Sequence, residues 1–208
     1  MDIALMLTVF TTLFLVELPD KTFIATLVLA TKYRPLYVWI GVASAFLVQT
    51  VVAVAFGAVL SKLPETPVHV VVALLFLVAG ILLIKGAKDA AAEGDEAEEE
   101  FAGKAKPAEG PKAISASFLI LFLAEWGDLS QLATAGFVAR GGNPWAVGIA
   151  AFTALALVSG LGAAVGRALL NRISLSTIRA AGGVVCLIFA ALMIAGLAGV
   201  EFPSWVPA

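Results

Sequence analysis

The sequence predicts an all-α membrane protein with six transmembrane helices arranged as two inverted three-helix repeats. Three observations predict it: 61% hydrophobic against only 13% charged residues over 208 positions, six apolar runs separated by short polar breaks, and a charged motif that occurs at the same place in each half. A mean hydropathy of +1.02 lies far outside the range of soluble domains. Too little polar chain remains outside the runs for a separate catalytic or nucleic-acid-binding domain. The formal charge of −2 is small, and its distribution says more than its sum.

A spanning helix needs about 20 largely apolar residues, and the runs that qualify are 3–30, 36–60, 67–86, 114–139, 145–167 and 175–199. The first is preceded by Asp2 and no basic residue, and it carries acids, so it reads as a mature span and not as a cleaved signal peptide. The breaks are Lys32-Tyr33-Arg34-Pro35, Leu63-Pro64-Glu65-Thr66-Pro67, the polar stretch 87–113, Gly141-Gly142-Asn143-Pro144 and Arg172-Ile173-Ser174. Each holds proline, glycine or charge, which end apolar helices. His69, the sole histidine, falls at a span edge and reads as interfacial; Cys186, the sole cysteine, falls in an apolar run and reads as packing. The division is therefore 1–86 as the first three-span repeat, 87–113 as a linker and 114–208 as the second repeat. The linker holds Asp89, Glu93, Asp95, Glu96, Glu98, Glu99, Glu100 and Glu109 with almost nothing apolar beyond Phe101, and it reads as a solvated, mostly disordered cytoplasmic tether.

Orientation follows from the basic residues. The side that takes the links after spans one, three and five holds Lys32, Arg34, Lys85, Lys88, Lys104, Lys106, Lys112, Arg167, Arg172 and Arg179, ten in all, against Lys62 and Arg140 on the other. Both termini are thus expected on the non-cytoplasmic side. Three spans per half is an odd number, so the second half enters the membrane upside down relative to the first, the plan of many secondary transporters.

The motif lies in Phe14–Thr26, FLVELPDKTFIAT, and again in Phe122–Thr134, FLAEWGDLSQLAT. At a constant offset of 108 residues Phe14 falls on Phe122, Glu17 on Glu125, Asp20 on Asp128, Thr22 on Ser130 and Thr26 on Thr134. A charge at mid-bilayer costs about 2.5–3.5 kcal/mol on insertion scales, so such a cluster is paired, hydrated or used. In helical geometry each Glu-x-x-Asp pair shows both carboxylates on one face, and two such faces meeting would bring four together. Lys21 is placed to pair with Glu17, or to gate the site; its counterpart Leu129 cannot do either. Four carboxylates less one ammonium leave three net negative charges, tolerable where protons or a cation balance them. Hydroxyls of Thr22 and Ser130 and the Gln131 amide add oxygen, with no Cys, His or Met nearby, which favours a hard divalent ion such as Ca²⁺, Mn²⁺ or Mg²⁺. Pro19 and Gly127 hold equivalent positions between the acids and are expected to kink both spans and free backbone carbonyls. Gln49 and Thr50 in the second span, and Thr153 and Ser159 in the fifth, could line the pathway or simply bond helix to helix.

Two Glu-x-Gly-Asp-(Lys/Arg)-(Ser/Thr) motifs on the first and fourth of six spans resemble the signature of the once-uncharacterised family 0016 of divalent cation:proton antiporters, which includes Golgi and chloroplast calcium/manganese transporters and bacterial MneA-type manganese exporters. The likeness covers essentially the whole chain and is strongest at Glu125-Trp126-Gly127-Asp128-Leu129-Ser130-Gln131. It implies that Glu17, Asp20, Thr22, Glu125, Asp128, Ser130 and Gln131 hold the cation, and that proton return drives its export from the cytoplasm. It further implies a substrate, Mn²⁺ first and Ca²⁺ next, with no cofactor, no enzymatic activity and no nucleic acid. The chain, of bacterial size, is expected in the inner membrane, in contact with lipid, as a monomer or homodimer. Pro19 departs from the family's glycine and Leu129 from its basic residue; the second departure leaves the site one unit more negative and is expected to make at least one carboxylate harder to ionise or to tighten divalent binding. Other readings of the same residues are a six-span exporter of amino acids or other small cationic solutes, an intramembrane enzyme using paired carboxylates, and a structural membrane protein.

Overall fold

The computed structural model describes residues 3–18, 20–170 and 174–200; Asp2, Pro19, Arg172 and Ile173, on which parts of the sequence reading rest, lie outside them. The elements are α1 (Ile3–Glu17), α2 (Lys21–Lys32), α3 (Pro35–Leu60), α4 (Glu65–Gly86), α5 (Ala90–Lys104), α6 (Pro111–Ala124), α7 (Leu129–Ala139), α8 (Pro144–Leu170) and α9 (Leu175–Leu197). Helices α3, α6 and α8 begin on Pro35, Pro111 and Pro144, where a missing N–H costs nothing because a first turn has no partner for it. Asn143 Oδ1 accepts the amides of Trp145 and Ala146, both at 3.1 Å, and Ser174 Oγ accepts that of Thr177 at 3.2 Å. These side chains satisfy the orphan donors that open α8 and α9.

Four helices, α3, α4, α8 and α9, are long and apolar enough to cross a bilayer, and two pairs, α1–α2 and α6–α7, would each do so as one span bent by 66° and 70° respectively. The six apolar runs of the sequence are thus present, with the first and fourth broken in the middle. Val71, Leu74, Val78 and Leu82 of α4 stay exposed along one stripe, as lipid-facing residues do.

The core lies where the halves meet. Helix α3 packs on α6, α7 and α8, α8 packs on α1, α2 and α3, and α4 runs along α9. Val9, Leu13 and Val16 of α1 share a buried cluster with Ala150, Ala151 and Ala154 of α8 and with Cys186 of α9, so the cysteine is packing, as expected. Small residues let backbones approach: a Cβ on Gly57 of α3 would fall 2.5 Å from the Ala135 carbonyl oxygen of α7.

The linker departs from the expected tether. Residues Ala90–Lys104 form helix α5, which packs on α2 and α9. Alanine and glutamate are strong helix formers, and Ala90, Ala97 and Phe101 make one face that is fully buried. Glu93 pairs with Arg179 of α9 at 2.6 Å, while Arg179 also donates to the Gly86 carbonyl at 3.0 Å. Beyond α5 the Tyr33 hydroxyl donates to the Lys106 carbonyl. On the exposed side Lys104 bonds Glu100 and holds its carboxyl below the usual carboxylate range. The acid content suggested disorder because it hides an apolar stripe only three residues deep.

Phe101→Ala should weaken the docking of α5 by about 3 kcal/mol, the usual cost of truncating a buried phenylalanine. Hydrogen exchange would then show slow amides over 97–104 in the wild type and fast ones in the variant; fast exchange in both would mean that α5 does not dock.

Candidate metal centre

Each broken span brings its acids to the break. Glu17 is the last residue of α1 and Asp20 is the N-cap of α2; Glu125 is the C-cap of α6 and Asp128 the N-cap of α7. The pairs therefore do not share one helix face, as the spacing suggested. A turn separates them, and the glutamate closes one helix while the aspartate opens the next. Gly127 makes the second turn at φ +80°, a conformation that costs other L-residues about 1–2 kcal/mol. Pro19, its counterpart, lies outside the described residues.

The two breaks meet. One carboxylate oxygen from each of Glu17, Asp20, Glu125 and Asp128 lies within 4.8 Å of the other three. Oxygens around a single hard divalent ion sit at about 2.0–2.6 Å from it, so opposite ligands are about 4–5 Å apart. The cluster has the size of one such ion. Helix ends suit the arrangement: α2 and α7 direct N-terminal amides at carboxylates, while the closing carbonyls of α1 and α6 supply negative ends near a cation.

Partners differ sharply among the four acids. Asp128 accepts from Ser130 Oγ at 2.5 Å, from Gln131 N at 3.0 Å and from Ser130 N at 3.2 Å. Asp20 accepts from Lys21 N at 2.7 Å. Glu17 is fully buried, and neither of its oxygens has a hydrogen-bond partner among the described residues. Glu125 is 5% exposed. The hydroxyl of Thr22, fully buried, also lacks a partner, whereas its counterpart Ser130 is spent on Asp128. Thr26 and Thr134 donate to the carbonyls of Thr22 and Ser130, each at 2.7 Å, a duplicated pair visible in the sequence alignment of the halves but given no role there.

Several expected roles change. Lys21 is exposed and forms no ion pair with Glu17; it reaches the site through its backbone amide. Gln131 accepts from Gly127 N at 2.9 Å, so its oxygen stitches the turn, and its buried Nε2 has no partner among the described residues. Gln49 donates across to the Phe122 carbonyl at 3.2 Å. Thr50, buried with an unpartnered hydroxyl, lines a narrow crevice with Gln49, Ser130, Gln131 and Thr134. Thr153 is exposed and bonds back to the Ile149 carbonyl at 2.7 Å, which removes it from any path through the interior. Ser159 is fully buried and bonds its own helix at Ala156. Leu129 lies in an apolar crevice with Val72, Leu75 and Phe76 of α4; its absent charge bears on packing against α4 as well as on the site. Arg179, counted from sequence only for orientation, holds α5 to α9; a basic residue facing an acidic linker was the available signal.

The model of the family described as "Divalent cation/proton antiporter GDT1" matches residues 5–91 and 113–199, one match in each half. A GDT1-like protein of Synechocystis sp. is 31% identical over 184 residues, covering 84% of this chain and 88% of the relative. GDT1-like protein 5 of Oryza sativa subsp. japonica is 32% identical over 201 residues, 83% of this chain and 86% of the relative. The chloroplastic PAM71-homolog of Arabidopsis thaliana is 30% identical over 210 residues, 90% of this chain and 58% of the relative. No solved structure matches the chain.

A buried carboxylate with no hydrogen bond destabilises the fold that contains it. Glu17→Gln, which keeps the shape and removes the charge, should raise the thermal midpoint of the cation-free protein by several degrees at mildly alkaline pH, an increment of about 1–2 kcal/mol. A lowered midpoint would show that Glu17 is held by interactions the charge itself supplies.

Proposed function

The chain belongs to the GDT1 family of divalent cation/proton antiporters, and from that membership we propose that it exports Mn²⁺, and next to it Ca²⁺, from the cytoplasm in exchange for protons. The family transports and is not enzymatic, so the paired acids serve binding. The observation that carries the reading is the convergence of Glu17, Asp20, Glu125 and Asp128 within 4.8 Å from two equivalent breaks.

The proposed mechanism follows from charge. Four carboxylates in apolar surroundings cannot all stay ionised without a counter-charge. A divalent ion and protons can each supply it, and they compete for the same oxygens. Glu17, without a hydrogen-bond donor, gains most from either. Thr22 would add a neutral oxygen to the ion, while Ser130 and Gln131 hold the second break in shape. A site of carboxylate and hydroxyl oxygens favours hard ions over Zn²⁺ or Cu⁺. An inward proton gradient then drives the cation outward.

The two halves, 1–86 and 114–208, are proposed as inverted repeats that rock about this site. Their packing supports it: the α3 contacts with α6 and α7 are mirrored by the α8 contacts with α1 and α2, and α3–α8 and α4–α9 pair equivalents with each other. The ten basic residues against two support an inner-membrane protein with both termini on the non-cytoplasmic side and α5 in the cytoplasm. Export of amino acids or other small solutes is disfavoured, because carboxylates within 4.8 Å of one another leave room for an ion and none for an organic solute.

In proteoliposomes with a trapped pH dye, Mn²⁺ and Ca²⁺ should each drive proton movement, and Glu17→Gln and Asp128→Asn should reduce it by about 100-fold, the loss of about 2.7 kcal/mol of ion binding. If none of Mn²⁺, Ca²⁺ and Mg²⁺ moves protons through the folded protein, the exchange reading fails.

A further inference from the structure

The two breaks are closed by different means. In the first, backbone amides do the work: Leu18 N–H donates to the Phe14 carbonyl at 3.1 Å and Asp20 N–H to the Glu17 carbonyl at 3.0 Å. In the second, the carbonyl equivalent to that of Phe14 belongs to Phe122, and it is met by the side-chain amide of Gln49 from α3, at 3.2 Å. The Gly127 amide in the same break is met by the side chain of Gln131, at 2.9 Å. Helices α3 and α8 open on equivalent prolines, Pro35 and Pro144, an offset of 109 that puts Gln49 on Val158; at the motif's offset of 108 Gln131 falls on Phe23. Val158 and Phe23 are both fully buried and apolar. Among the described residues no glutamine stitches the first break.

We propose that Gln49 is a positioning residue for the cation site, setting the carboxylate of Glu125 by holding the last turn of α6. The inference rests on the exchange reading for its substrate. Phe122 lies three residues before Glu125, and the Glu125 amide is bonded one residue further back, to the Leu121 carbonyl at 3.0 Å. Two of the closing carbonyls of α6 are thereby tied, one by the Glu125 amide and one by α3. Gln49 is 2% exposed, so its amide is not exchanged for water at the surface. The tie crosses from one half of the molecule to the other. Movement of α3 relative to the α6–α7 break therefore moves Glu125, whereas Glu17 and Asp20 are set within their own half. Partners that orient metal ligands from behind are worth about 10–100-fold in metal affinity.

The test compares wild type with Gln49→Met, which keeps the length and loses the donor, and Gln49→Asn, which keeps the amide and cannot span the gap. Ser44→Ala, on the exposed side of α3 and bonded only to its own helix at Ile40, is the control. Proton-coupled Mn²⁺ transport in proteoliposomes, Mn²⁺ binding by calorimetry and thermal midpoints are read on all four proteins. The expected result is a KM and a dissociation constant for Mn²⁺ raised about tenfold in both Gln49 variants, with the maximal rate within about twofold of wild type; Ser44→Ala is unchanged. Because Gln49→Asn keeps a polar amide in the crevice, it decides the matter if Gln49→Met does not assemble. Unchanged Mn²⁺ affinity in the variants overturns the inference, as does a parallel fall of rate, affinity and midpoint, which marks a merely structural bond. A wild type that binds Mn²⁺ yet moves no protons overturns the exchange reading instead, and the binding data then judge Gln49 alone.

Discussion

Four carboxylates held within 4.8 Å in the interior of a helical membrane protein are the constraint on which the rest depends. Charge there is expensive, and so is any backbone group without a partner. Placing the acids at breaks answers both demands at one point. A helix that stops at Glu17 or Glu125 leaves carbonyls to be satisfied, and one that starts at Asp20 or Asp128 leaves amides. The aspartates take the amides as N-caps, and the glutamates stand at the closing ends of α1 and α6. An unbroken helix could present the same side chains, but its backbone would be sealed and its end dipoles far away.

The surrounding helices follow from the need to hold two breaks face to face. Helix α3 crosses the α6–α7 break and α8 the α1–α2 break, and close approach depends on small residues such as Gly57, set against the Ala135 carbonyl, because lipid offers no hydrophobic drive for helices to associate. Helices α4 and α9 pack on each other and leave the outer stripe of α4 to lipid. Helix α5 is fixed from both ends, through Glu93 with Arg179 and through the Tyr33 hydroxyl with the Lys106 carbonyl just beyond it. It is thereby tied to α2, whose N-cap is Asp20.

What could be read from the residues was the part set by composition and duplication. Six apolar runs appear as spans or bent pairs, and the duplicated acids come together, because an energetic penalty that large can be met in few ways. What could not be read was local geometry. The Glu-x-x-Asp spacing fits one helix face and also fits a C-cap followed by an N-cap; only the backbone decides, and Gly127 at positive φ was the residue that pointed to the second. Lys21 seemed matched to Glu17 by spacing, yet the break turns its side chain outward. Thr153 looked like a pathway hydroxyl, but in lipid-facing helices such groups satisfy themselves on their own backbone. The linker was judged by its charge, whereas its fate was set by Ala90, Ala97 and Phe101, three buried positions among fifteen helical residues.

The halves resemble each other in sequence but not in how tightly their acids are held. Asp128 receives three hydrogen bonds and its break is stitched by two glutamines. Glu17 receives none. The inequality is one of single acids: Asp128 is fixed by the turn it caps, Asp20 takes one bond from the Lys21 amide, and Glu17 keeps its full demand for a counter-charge. Duplication provides the two pairs, and the divergence of Gln49 from Val158 and of Gln131 from Phe23 makes them unequal.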